Sequence, residues 1–256
     1  MNTPEPAREI DMLLDRIVAA INGIYLLDEA ALDAMAWQAK KCKRTDPGDA
    51  RMVLALIADI RQDGKAAEQH FEEALRYGWY PLLGMNYATT LRRFNRVEDA
   101  LHQIQRVIDQ GPGHYFLSAL DSAVQCAYFA GRFHRTSELI ATLCQYNAPL
   151  SREAEAMAET MLVLMPAVEH LGLTDEATAA ATEQARSVIR RFHPRARVSI
   201  DDFIGQDDHL FLSRTLLVPV SFEEARRMDL ELMALQAESD IPLSTFCVSL
   251  RDNPAA

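Results

Sequence analysis

Three stretches of this chain repeat one order of small and bulky residues, and that recurrence limits the possible folds more than any other feature. The first small residue of each stretch is Ala55, Ala88 and Val124, at steps of 33 and 36 residues. Arg51 to Pro81 continues with Ala67, Phe71, Ala74 and Leu75. Pro81 to Pro112 continues with Leu91, Val97, Ala100, Ile104, Val107 and Ile108. Phe116 to Pro149 carries Ala127, Gly131, Phe133, Ile140 and Leu143. A period of this length marks supersecondary units that stack on one another. Two antiparallel helices approach closely only where small side chains meet and larger ones fill the gaps beside them. Each stretch therefore predicts a helical hairpin, with turns near residues 64, 95 and 131.

This order resembles the tetratricopeptide repeat, and residues 81–112 match it best. The family pattern is a helix A with a small residue, a turn, a helix B with alanine, a bulky residue and a second alanine, then proline. Two positions depart from it. Gln62 stands where the turn glycine is usual, with Gly64 two residues later, and Thr136 stands where helix B usually carries alanine. The resemblance covers about 100 residues and implies a solenoid whose concave face, formed by the A helices, holds a protein or peptide. On that face it places Met85, Asn86, Thr89, Arg92 and Arg93, then Asp121, Gln125, Tyr128 and Phe129. Methionine, aromatic and arginine side chains suit a recognition groove, giving adaptable apolar area and charge-assisted hydrogen bonds. Packing against the next helix is the competing reading for Tyr128 and Phe129. For Arg92 and Arg93 it is a solvated helix end. One branch of the family clamps a terminal carboxylate with Lys, Arg and Asn. Asn86 fits that clamp, but Met52, Leu56, Ser118 and Ser122 do not.

Flanking segments extend the helical array. Ala7 to Leu26 carries Ile10, Leu13, Leu14, Ile17, Val18 and Ile21 at helical spacing, and Glu29 to Lys43 reads as its partner, closed by Thr45-Asp46-Pro47-Gly48. Ser151 opens a helix towards Leu171 that Pro166 should kink or break, and Thr174 caps another reaching Phe192. The pattern changes after His193-Pro194. Val198 to Asp201, Leu210 to Val218, and Phe246, Val248 and Leu250 alternate as strands. Ser221-Phe222-Glu223-Glu224 is a capping box that opens a helix with Ala225, Met228, Leu232 and Leu235 on one face. The expected fold is mainly α: stacked hairpins followed by a small β-β-α-β segment docked on the last helices. Its parts are an N-terminal hairpin or cap over 1–49, repeats over 50–150, a helical extension over 151–194 and the α+β segment over 195–256.

Composition narrows the function. A net charge of −11 disfavours nucleic acid, whose phosphates need concentrated Lys and Arg, and leaves a basic partner open. No run of about 18 apolar residues suggests a membrane span. The opening Met1-Asn2-Thr3-Pro4-Glu5 lacks a basic region before an apolar core, so the expected address is the cytoplasm. Cys42, Cys126, Cys144 and Cys247 lack zinc or redox spacing and, in apolar or helical contexts, read as buried free thiols. Two charged clusters compete with the groove. Arg186, Arg190, Arg191, His193, Arg195 and Arg197 could grip an anion or simply complement a helix end. Asp201, Asp202, Asp207, Asp208 and His209 flank Gly205 in an apparent turn; hard cations use such carboxylates, but so do acidic turns. No phosphate loop, nucleophile elbow or Cys/His pair points to catalysis, and no catalytic residue, metal site or cofactor is assigned. The expectation is a non-catalytic binding module: an adaptor, chaperone or inhibitor, with toxin neutralisation or effector chaperoning in a bacterium fitting the acidity and size. The alternative is a metal-dependent enzyme built on the acidic C-terminal cluster.

Overall fold

A computed structural model describes residues 9–253 except 22, 25, 207–209 and 240–244. The chain is mainly α: among the described residues ten helices follow one another as pairs joined by short turns, then a mixed three-stranded sheet with one helix. It divides into two compact units, residues 1–90 and 91–256.

The first unit holds α1 (Glu9–Ile21), α2 (Glu29–Cys42), α3 (Pro47–Ile60), α4 (Gly64–Leu75) and most of α5 (Pro81–Arg93). Local chemistry sets their ends. Asp28 and Asp63 accept the backbone N–H groups of Ala31 and Ala66, and Pro47 starts α3, where its missing N–H costs nothing. Ala55, Ala67 and Ala74 are fully buried, so α3 and α4 pack closely, while Phe71 stacks on Tyr87 with centroids 4.7 Å apart.

The second unit holds α6 (Val97–Ile108), α7 (Phe116–Ala130), α8 (Phe133–Gln145), α9 (Arg152–His170) and α10 (Asp175–Phe192). It continues with β1 (Ser199–Gln206), β2 (Leu210–Val218), α11 (Phe222–Ala237) and β3 (Phe246–Asp252). Here α7 packs on α6 and α8, and α9 packs on both α7 and α8. The axes of α9 and α10 turn through 114°, so α10 leaves the stacking direction.

The hairpin turns fall at 61–63, 94–96 and 131–132, as the recurrence predicts, and one closure is used in all three. Gln62, Asn95 and Gly131 adopt left-handed φ values of 64°, 57° and 84°. In each turn the next N–H reaches back to a carbonyl five residues earlier: Asp63 to Ala58, Arg96 to Leu91, Arg132 to Ala127. Gln62, not Gly64, is therefore the turn residue of the first repeat, and Gly64 starts α4. Thr136 replaces the expected alanine by turning its hydroxyl onto the Arg132 carbonyl at 2.7 Å, which hides its polarity inside the helix. Pro166 does not break α9. It lies on the exposed side above Leu162, which is 79% exposed, so the carbonyl it frees faces water.

In the sheet β2 is central, antiparallel to β1 and parallel to β3, with α11 as the crossover. Register puts Ile200, Asp202 and Ile204 on one face with Leu212, Arg214 and Leu216 and with Phe246, Val248 and Leu250. That face sits over the α7–α8 turn, with β2 against α9 and β3 against α10. Asp201, Asp202 and Gly205 belong to β1 and not to a turn, because pairing with β2 runs through all eight residues. Gly205 lies under the Phe211 ring, where a Cβ would come within 2.1 Å of ring carbon. On α11 the buried residues are Ala225, Met228, Leu232 and Gln236, while Leu235 is half-buried. Ser221 caps Glu224 N–H as expected, but the Glu224 carboxylate goes to His193 Nε2 at 2.8 Å and does not complete the box.

The left-handed turns set two expected outcomes in chemical unfolding. Gln62→Gly removes an unfavourable side chain from an exposed left-handed position and raises stability by about 0.5–1 kcal/mol. Gly131→Ala lowers it by about 3 kcal/mol, since strain adds to a Cβ placed 2.5 Å from Thr182 Oγ1. Equal effects at the two sites would show that the shared closure does not govern them.

Candidate functional site

The residues assigned to the groove separate into a connected row and a core strut. Met85, Asn86 and Thr89, in the first unit, are half-buried on α5. Asn86 donates to the Met52 sulfur at 3.4 Å, and Thr89 donates to the Met85 carbonyl one turn back at 2.9 Å. In the second unit Arg92 Nη1 donates to Gln125 Oε1 at 2.7 Å, and Gln125 Nε2 donates to Asp121 Oδ2 at 3.1 Å. Asp121 Oδ1 in turn accepts the Ser151 N–H at 3.0 Å, just ahead of α9. Arg92 and Arg93 are half-buried, not the exposed helix end that the sequence suggested, because the Arg92 guanidinium lies along α7. Asp121, Gln125 and Phe129 lie four residues apart and so share one face of α7. All three remain half-exposed. The Arg186 guanidinium stands 5.9 Å from the Phe129 ring centroid.

Tyr128 points elsewhere. It is 7% exposed, and its hydroxyl donates to Asp202 Oδ2 at 2.7 Å. Arg214 grips the same carboxylate with two bonds, Nε to Oδ1 at 2.8 Å and Nη2 to Oδ2 at 2.9 Å. Its Nη1 donates to the Tyr128 carbonyl at 2.7 Å, and its guanidinium lies 4.9 Å and 4.6 Å from the Tyr128 and Phe133 ring centroids. Both members of the ion pair are fully buried. Burial alone would lower the Arg214 pKa, but Asp202 beside it raises it overall. Burial, with Asp202 adjoining, pushes the Tyr128 phenol well above its usual value. Tyr128 is thus a strut between α7 and the sheet, which is neither the groove position nor the packing on the next helix that the sequence offered for it.

The basic run is likewise absorbed by the fold. Arg186 is 3% exposed; its Nε and Nη2 donate to the Phe129 carbonyl at 3.2 and 3.1 Å, and its Nη1 to Asn95 Oδ1 at 2.9 Å. Burial, and then the nearby Arg214 charge, pull its pKa down to about 10. Arg190 donates to the Asn95 carbonyl at 2.9 Å, Arg191 pairs with Glu231, and Arg195 lies 5.1 Å from the Phe94 ring centroid. Arg197 stays exposed.

The acidic cluster does not assemble a metal centre among the described residues. Asp202 is occupied by Arg214 and Tyr128, and Asp201 is exposed on the other face of the sheet. Asp207, Asp208 and His209 lie outside the described residues. A polar cleft of about 360 Å³ opens between α6, α8 and the start of α10. Its arginines are already engaged, Arg132 with Glu98 at 2.8 Å and Arg135 with Glu138 at 3.0 Å.

Sequence reasoning passed over Arg214 and Asn95. Arg214 had a signal: it is the one charge in an otherwise apolar alternate row, Leu212, Leu216 and Val218. Asn95 had one too, since asparagine tolerates the left-handed turn that its place in the repeat requires. Comparison with protein-family models, with curated proteins and with solved structures returns no match.

The buried pair sets a definite expectation for denaturant unfolding. Arg214→Met leaves Asp202 charged and unpaired and costs about 3–5 kcal/mol, whereas adding Asp202→Leu recovers much of that loss. A single variant within about 1 kcal/mol of the parent would deny the pair its structural role.

Proposed function

We propose that this chain is a non-catalytic binding protein of tetratricopeptide-like hairpins that holds a protein or peptide on the A-helix face. The observation that carries this reading is the half-exposed row of Arg92, Gln125, Asp121 and Phe129 on α5 and α7. Side chains held by one another's hydrogen bonds are pre-ordered, so a partner loses less entropy in contacting them. Asp121 and Gln125 keep further lone pairs for a ligand, and Phe129 adds apolar area beside them. Support for the repeat reading comes from the shared turn closure at Gln62, Asn95 and Gly131 and from buried alanines between paired helices.

In this reading the partner is another protein or a peptide, and neither nucleic acid nor a membrane is a target. The charge of −11 opposes phosphate binding, and among the described residues no single helix is long and apolar enough to cross a membrane. An adaptor, chaperone or inhibitor acting in the cytoplasm fits these properties, and so does neutralising a toxin or carrying an effector in a bacterium.

The test starts with affinity capture by the whole chain and titration of the retained partner. Arg92→Ala with Arg93→Ala weakens binding by about thirtyfold, the loss of roughly 2 kcal/mol expected for a contact at an interface centre. The fold loses only about 1 kcal/mol with the Arg92–Gln125 bond, which thermal unfolding checks. Unchanged affinity in a folded double variant would reject the groove assignment.

A further inference from the structure

The two edges of the sheet are finished differently. Backbone polar groups of successive strand residues point to opposite sides. Leu212 N–H bonds to Thr245 O, so the even-numbered residues of β2 turn their backbone towards β3 and the odd-numbered ones towards β1. Through the register, Ser199, Asp201 and Phe203 bond to β2, while Ile200, Asp202 and Ile204 turn their N–H and C=O groups outwards. On the other edge the outward groups of β3 are taken by α11: Asp229 accepts the Leu250 N–H at 2.8 Å, and Gln236 Nε2 donates to the Val248 carbonyl at 3.1 Å. Among the described residues no such partner meets the outward groups of β1.

Side chains along β1 show the same incompleteness. Ile200 and Ile204 continue the rows of Leu216 and Leu212, yet these neighbours are fully buried and the two isoleucines only half so. On the opposite face Phe203 is 60% exposed, and the exposed Asp201 carboxylate meets no cation among the described residues. Natural edge strands are usually guarded by lysine, proline or a bulge. β1 has none of these and pairs without interruption. Its one guard is negative charge.

From these observations we infer that the free edge of β1 is a second interaction surface, which accepts an extended, basic segment of a partner protein as a fourth strand. Backbone pairing to Ile200, Asp202 and Ile204 supplies the affinity. Side chains supply the selection. Apolar residues of the segment cover Ile200 and Ile204 on the inner face. On the outer face a lysine or arginine lies beside Asp201 and an apolar residue beside Phe203. The overall charge of −11 draws such a segment in. This surface is independent of the helical face and does not require it.

The probe is a blocked peptide about nine residues long to span a strand, with valine at every second position and lysine and leucine taking turns at the positions between, alongside a counterpart with glutamate for lysine. Each is added to the whole chain, and amide hydrogen exchange is read residue by residue. The lysine peptide slows exchange at Ile200, Asp202 and Ile204 and the glutamate peptide does not. Ile204→Pro removes one outward donor without touching the β1–β2 pairing, and weakens the lysine peptide by about tenfold, as loss of one backbone bond predicts. Asp201→Lys, at an exposed position, reverses the preference between the peptides. The inference is overturned if those three amides are unaffected by the lysine peptide, if both peptides protect them equally, or if both substitutions leave binding unchanged.

Discussion

An α-helix that ends inside a protein leaves carbonyls that the helix itself cannot satisfy, and α7 ends in this way. Its last turn is met by two buried guanidinium groups and a hydroxyl. Arg214 donates to the Tyr128 carbonyl, Arg186 to the Phe129 carbonyl, and Thr178 to the Gly131 carbonyl at 2.6 Å. Cations are favoured at a helix C-terminus, and these two come from elements far along the chain, α10 and β2. A buried charge needs a counter-charge or a full set of acceptors. Asp202, which also accepts the Tyr128 hydroxyl, completes the set for Arg214, and Asn95 completes it for Arg186. The third hairpin, α10 and the sheet are therefore fixed to one another by buried polar groups that bond across all three.

That arrangement explains the architecture around it. For α10 to bring Arg186 and Thr178 to the end of α7 it must leave the stacking direction, and its axis turns 114° from α9. Gly131 must be glycine for two reasons, its left-handed φ and the approach of Thr182 and Thr178. Asn95 also holds the link into the sheet, donating to the carbonyls of Pro194 and Ala196 at 3.2 and 3.1 Å. With the end of α7 pinned in the core, the half-exposed Asp121, Gln125 and Phe129 are presented on a rigid rod. The proposed binding row and the buried centre thus share one helix.

Local rules made the helices and their order legible. Small residues at steps of 33 and 36 gave the hairpins, and Ser151, Thr174 and Ser221 gave helix starts because a cap is a contact within four residues. What escaped depended on distant partners. Acidic residues in β1 looked like a turn because Asp202 is tolerable in a strand only with Arg214 across from it. The basic run looked like a surface because its acceptors are backbone carbonyls of α7 and side chains up to 91 residues away. Tyr128 was placed in the groove because it shares a stripe of α7 with Asp121 and Gln125, seven and three residues before it, but at the helix end the sheet covers that stripe and buries it. Asp207, Asp208 and His209 fall outside the described residues.

The central claim is that the sheet and the third hairpin form one cooperative structure through the end of α7. Native-state hydrogen exchange across a denaturant series tests it directly, by comparing buried amides of β2, such as Leu212 and Leu216, with those of α7, such as Ala123 and Ala127. The account predicts that both sets open with the same free energy and the same dependence on denaturant. If the β2 amides opened in a smaller, cheaper step while α7 stayed protected, the sheet would be an appended module and the claim would be wrong.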